Sequence, residues 1–172
     1  MARLKIEYGI DLGTTNSAIA RIESGIATIL EIDNSKTVPS AVSYDRRDRE
    51  RVGITAVAGD CYVEFKRDMG KTKLVGQPDA KKADGTPITP EFLSSKVLQK
   101  LSDRVNDEVF KSLVVTVPAM FESGQVAATK RAAEMAGFEQ IEILMEPVAA
   151  ATAFAMQNIG KNGNWLIFDF GG

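Results

Sequence analysis

Hydrophobic and polar residues alternate from the first stretch of the chain. Ile6, Tyr8, Ile10 and Leu12 fall on one face of a strand predicted over residues 4–12. Gly13-Thr14-Thr15-Asn16 reads as a turn, and alternation resumes over 17–22. Ser24-Gly25 is a hairpin break, with a third strand predicted over 26–32. Three strands joined by short turns make an antiparallel start. The pattern then loosens. A short strand is expected over 38–44, and a run of four Arg and three acids over 45–51 reads as a solvated hairpin tip. A short helix is expected around 63–69, and Asp84-Gly85 marks a turn between two short strands. Thr89-Pro90-Glu91 sets a cap, a first-turn proline and a first-turn acid. The helix that follows carries Leu93, Val97, Leu101 and Val105 on one face.

From residue 113 the pattern changes to α/β. Residues 113–117 form an apolar strand of the kind buried on both faces, 123–136 a helix stopped by Gly137, and 141–145 a strand. A helix over 147–157 opens on Pro147, and a last apolar strand is predicted over 165–170. The expected order is βββαβαβ around a mixed five-stranded sheet, with 38–110 as an inserted α+β unit. A sequence that stops at Gly172, just after a core strand and half a glycine turn, reads as a piece of a longer chain.

Composition narrows the chemistry. The 172 residues suit one domain with a modest insertion, and 44% apolar with 26% charged is that of a globular protein with a core. A net charge of −2 argues against nucleic acid as the main partner. With no histidine, imidazole bases and His-ligated metals are excluded. The single Cys61 can form neither an internal disulfide nor a cysteine zinc cage, and it reads as a small buried apolar group. No stretch has the length of a membrane span, and Glu7 and Asp11 interrupt any signal-peptide core, so a cytoplasmic protein is expected. Any chemistry rests on carboxylates, Lys, hydroxyls, backbone amides and a hard metal.

Two segments could do such chemistry. In Asp11-Leu12-Gly13-Thr14-Thr15 an acid at a strand end meets a turn whose amides and hydroxyls can cradle an anion, while Asp11 could hold Mg²⁺ through water. An ordinary hairpin turn of small residues fits the same letters. Phe168-Asp169-Phe170-Gly171-Gly172 repeats the scheme, and two such units could grip a nucleotide's phosphates from both sides. Neither is a Walker loop or a Rossmann fingerprint.

Residues 10–17 closely resemble the N-terminal signature of the heat-shock protein 70 chaperones, in the actin-like ATPase superfamily. The resemblance continues through Val38-Pro39-Ser40, Phe65-Lys66-Arg67-Asp68-Met69-Gly70, Val115-Thr116-Val117-Pro118-Ala119-Met120-Phe121 and Glu146-Pro147 to Phe168–Gly172. It implies a ribonuclease-H-like lobe: subdomain IA from 1–37 and 111–172, and subdomain IB from 38–110. It also implies that Thr14, Thr15 and the backbone of Gly13 hold the β- and γ-phosphates of ATP, or the β-phosphate of ADP, with Gly171 and Gly172 opening a second phosphate turn. Asp11 and Asp169 would face the water shell of Mg²⁺. Lys66 would reach the γ-phosphate and the attacking water, although a surface lysine is the default for that residue type, and Glu146 would help position the water. Phosphoryl transfer needs placement and charge stabilisation, which these groups can supply without histidine.

The partners so implied are a second lobe and a peptide-binding domain of the same chain, unfolded peptide clients and co-chaperones, with no nucleic acid and no membrane. This stretch alone is expected to hydrolyse little or no ATP. Three positions depart from the family pattern: Val126 stands for an Arg, Met145 for an Asn and Val148 for a Thr. Each replaces a polar group by an apolar one, so altered coupling between domains is expected. A sugar or acetate kinase of the same superfamily and an actin-like filament protein are the alternatives.

Overall fold

The computed structural model describes residues 6–103, 105, 111–160 and 163–168. Strands β1 (Tyr8–Asp11), β2 (Asn16–Glu23) and β3 (Ile26–Ile29) form an antiparallel meander. Its third strand is shorter than expected, because the chain turns at Asp33 and Asn34, both at positive φ, and Ile32 bridges to Ser35. The short strand β4 (Val38–Pro39) pairs with the start of β2, and β5 (Val42–Tyr44) forms a hairpin with β6 (Glu50–Val52). The first five residues of the charged run form the tip of that hairpin, where Asp45 accepts hydrogen bonds from the backbone N–H groups of Arg47 and Arg49, while Glu50 and Arg51 already belong to β6. These donors, that of Arg47 first, hold the Asp45 carboxyl below its ordinary range.

A short helix α1 (Ile54–Val57) and a 3₁₀ turn at Phe65–Asp68 lead to α2 (Pro90–Asp103). Thr89 Oγ1 accepts from the N–H of Phe92, so the expected cap is present. Leu93, Val97 and Leu101 are wholly buried, as their spacing requires. Around Asp84-Gly85 the two expected strands reduce to a single bridge between Lys81 and Pro87.

Strand β7 (Ser112–Val117) runs parallel to β1, and β8 (Gln140–Met145) parallel to β7, giving a mixed sheet of order β3-β2-β1-β7-β8 with β4 off the path. Helix α3 (Ser123–Met135) connects β7 to β8. It ends in a Schellman motif: Gly137, at φ +99°, donates to Glu134 O and Phe138 donates to Ala133 O. Phe138 is thereby folded back into the core. One contiguous buried cluster joins Ile10, Leu113 and Val115 of the sheet with Val42, Phe65, Met69, Leu93 and Leu98 from the stretch between β3 and β7.

Helix α4 (Glu146–Gln157) follows β8 directly and has no buried residue, though most of its side chains are apolar. The predicted last strand is not formed over 163–168: these residues have no regular structure, and Trp165, Leu166 and Phe168 are exposed. A strand needs a neighbour for its backbone groups, and no strand among the described residues takes this segment; Trp165 rests on Phe154 of α4 instead. Cys61 is half-buried rather than enclosed. Among the described residues no helix is long and apolar enough to cross a membrane.

Candidate functional site

Three parallel strands deliver their carboxyl ends to one edge of the sheet. The register sets Ile10 beside Val115 and Val117 beside Met145, so Asp11, Thr116 and the start of α4 arrive at similar depth. In open α/β sheets the crevice outside the carboxyl ends of the strands is where ligands bind. Asp11 is exposed there while its neighbours Ile10 and Leu12 are buried, which is the alternation of a strand edge. Thr116 Oγ1 donates to Asp11 Oδ1 at 2.8 Å, fixing one carboxylate oxygen and leaving the other for water or a cation.

The turn after β1 is tight. A Cβ at Gly13 would lie 2.0 Å from Asn16 O, so no other residue fits that backbone. Thr14 is half-buried and Thr15 exposed, so both hydroxyls stay near the surface of the turn.

Lys66 arrives from a distant part of the chain. The 3₁₀ turn that carries it is anchored by Phe65 and Met69, both buried, and Ser94 of α2 donates to Met69 Sδ. Gly70, at φ +85°, lets the following backbone approach Gln125 at the start of α3. Held between these elements, Lys66 is only 4% exposed, so the surface-lysine default fails for it. Its Nζ donates to Glu146 Oε1 at 2.6 Å and lies 5.8 Å from the centre of the Phe121 ring. Glu146 is the first residue of α4, where the helix dipole favours a carboxylate. The sequence has the helix beginning one residue later, at Pro147, a difference within the ordinary ambiguity of helix ends.

The structure therefore joins Lys66 to Glu146, and it sets Glu146 on the same sheet edge as Asp11 and Gly13. Asp169, Gly171 and Gly172 lie outside the described residues. Sequence reasoning missed two polar groups that hold the site. Thr116 falls in an apolar strand and Ser40 in a short strand, each inside a stretch that resembles the family, yet nothing in the sequence marks either as a site group. Their pairing partners lie 105 and 27 residues away, and no local pattern signals that. Among the described residues no three His, Cys, Asp or Glu side chains cluster to cage a metal. A lone strand-end carboxylate beside an amide-rich turn suits a Mg²⁺ that keeps its waters and arrives with phosphates.

A mixed sheet with such an edge defines an α/β protein equipped to receive an anion and a hard cation. The comparisons name the family. The model for "Hsp70 protein" matches residues 7–73 and 60–172. The chain is 38% identical to a chaperone protein DnaK of Mycoplasmopsis pulmonis and 36% identical to a chaperone protein HscA homolog of Methylibium petroleiphilum. It is 34% identical to an HscA homolog of Acinetobacter baumannii, and each alignment covers 98% of this chain. The chain belongs to the Hsp70 family. That membership decides against the kinase and filament alternatives. The chain spans 28–31% of the length of these relatives.

Proposed function

We propose that this chain is the N-terminal lobe of the ATPase domain of an Hsp70-type chaperone, of ribonuclease-H-like, actin-like architecture, acting in the cytoplasm. Subdomain IA comprises 1–37 and 111–172, and subdomain IB comprises 38–110. The whole protein binds Mg²⁺-ATP and hydrolyses it to control its grip on unfolded peptides, with co-chaperones acting on that cycle. The observation that carries this reading is the pair of buried Lys66 with half-buried Glu146 at 2.6 Å, set beside the Asp11 edge of the sheet. Burying a lysine costs several kcal/mol unless it is paired, and a surface loop has no structural need of one.

The roles follow from the chemistry of the groups. The Gly13–Thr15 turn offers amides and hydroxyls to the β- and γ-phosphates. Asp11, one oxygen held by Thr116, would present the other to the water shell of Mg²⁺, and the family resemblance gives Asp169, outside the described residues, the same role. Gly171 and Gly172, also outside the described residues, would by the same resemblance open a second phosphate turn. Mg²⁺, when bound, screens the phosphate charge. Lys66 has three N–H donors, so it can keep Glu146 on one and offer another to the γ-phosphate or the attacking water. Glu146 accepts from that water and keeps its orientation. The second lobe, which would close the cleft over the nucleotide, is needed to exclude water, so this chain alone turns over little ATP.

The test is calorimetric titration of Mg²⁺-ATP into this chain and into the full-length protein. Binding by the long chain, weakened at least tenfold by Lys66→Ala or Asp11→Ala and lost in the short chain, is expected. A full-length protein that does not bind Mg²⁺-ATP overturns the reading.

A further inference from the structure

Ser40 is 2% exposed and sits behind the phosphate turn, on the residue after β4. It makes two bonds to that turn. Its backbone N–H donates to Thr15 O at 2.8 Å, and its Oγ donates to Gly13 O at 2.7 Å. A hydroxyl has one proton, and that of Ser40 is committed to Gly13. Ser17 Oγ, 2.9 Å away and buried, must therefore donate its own proton to Ser40. The result is a directed chain from Ser17 through Ser40 to the Gly13 carbonyl, in which each bond polarises the next.

Peptide planarity turns this into a statement about the opposite side of the turn. In a trans peptide the C=O and N–H point in opposite directions. Drawing the Gly13 carbonyl toward Ser40 turns the Thr14 N–H away from β4. Drawing the Thr15 carbonyl toward the Ser40 N–H turns the Asn16 N–H the same way. Two amide donors are thus set on one side of the turn, the arrangement that makes an anion-binding concavity. Neither Ser40 nor Ser17 can touch the anion, since both are enclosed on the far side.

We propose that Ser40, backed by Ser17, is a positioning residue for nucleotide phosphate: it fixes the two carbonyls of the turn so that the amides face the ligand before the ligand arrives. This rests on the ATP-binding reading above. It also gives the inserted stretch, which begins with β4, a direct hold on the phosphate site.

The experiment uses the full-length protein and compares Mg²⁺-ATP, Mg²⁺-ADP and adenosine, which has no phosphate. Ser40→Ala is expected to weaken both nucleotides about tenfold and leave adenosine within twofold. Ser17→Ala, which leaves the bond to Gly13 in place, is expected to weaken the nucleotides two- to threefold. Loss of adenosine in step with the nucleotides would mean a general structural role and overturn the proposal, as would unchanged nucleotide binding in a folded Ser40→Ala. If Ser40→Ala does not fold, Ser17→Ala decides: selective loss of the nucleotides supports the proposal, and no loss overturns it. A wild-type protein that binds no Mg²⁺-ATP overturns the functional reading and this proposal together. A wild type that binds, with variants that bind equally well, overturns this proposal alone.

Discussion

At the scale of single residues, the polar groups near the strand ends are held by partners remote in sequence. Thr116 and Asp11 stand on adjacent parallel strands, and one hydroxyl proton fixes which carboxylate oxygen is free. Groups that orient a ligand without touching the metal typically contribute 10–100-fold to metal affinity. Thr116→Val, which keeps the shape and removes the proton, is therefore expected to raise the Mg²⁺ concentration that half-saturates nucleotide binding by about tenfold. The adenosine affinity of the same variant should not move, and titration of both ligands checks it. Lys66 belongs to the same scale. Removing one member of a buried ion pair ordinarily costs about 3–5 kcal/mol, and the partial exposure of Glu146 lowers that to about 1–3 kcal/mol. Urea denaturation of Lys66→Met measures it. Adding Glu146→Gln should recover part of the loss, because the stranded carboxylate is then gone. The sequence marks Lys66 only through its resemblance to a known motif. Its burial is a product of packing by Phe65, Met69 and α2, which the letters around it do not disclose.

At the scale of elements, helices with strong local signals fall where the pattern puts them, and weak ones depend on context. Helix α2 has its cap, its first-turn proline and its apolar face within 14 residues, and each signal acts locally. The C-terminus of α3 is equally legible, because only glycine is at ease at the φ of +99° that the Schellman motif needs. The Asp84-Gly85 turn shows how a local motif sets a titration. Asp84 accepts from the Thr86 hydroxyl and N–H, and from Lys82, which together lower its carboxyl to about 2 from the ordinary 3.8. The folded value lies below the unfolded one, so the turn's contribution is complete above pH 4 and fades as pH falls through about 2. Asp84→Asn should flatten the acid limb of stability between those values, as followed by thermal melts at stepped pH. The segment 163–168 shows the other case. Its apolar run has the composition of a strand, but strand formation needs a partner edge, and composition cannot supply one.

At the scale of the whole molecule, one core is shared by the sheet and by the stretch between β3 and β7, while α4 and the described residues after it lie outside that core. Phe154, Met156, Ile159, Trp165, Leu166 and Phe168 leave a run of exposed apolar surface. A surface of that kind binds apolar dyes and promotes association. Met156→Lys should lower dye binding and concentration-dependent association of this chain, yet leave its stability within about 0.5 kcal/mol, since no contact in the core is lost. Dye fluorescence and a melting curve on the same sample test both halves. The sequence by itself determined the opening strand meander, helices α2 and α3 with their cap and stop, the glycine turn after β1 and the exclusion of histidine chemistry, because each depends on neighbours a few residues away or on composition alone. Only the tertiary structure decided that Lys66 meets Glu146, that Thr116 holds Asp11, and that Ser40 stands behind the turn at Gly13. Those pairings span 80, 105 and 27 residues, and what brings them together is the burial of apolar faces that carry no sign of the polar groups riding on them.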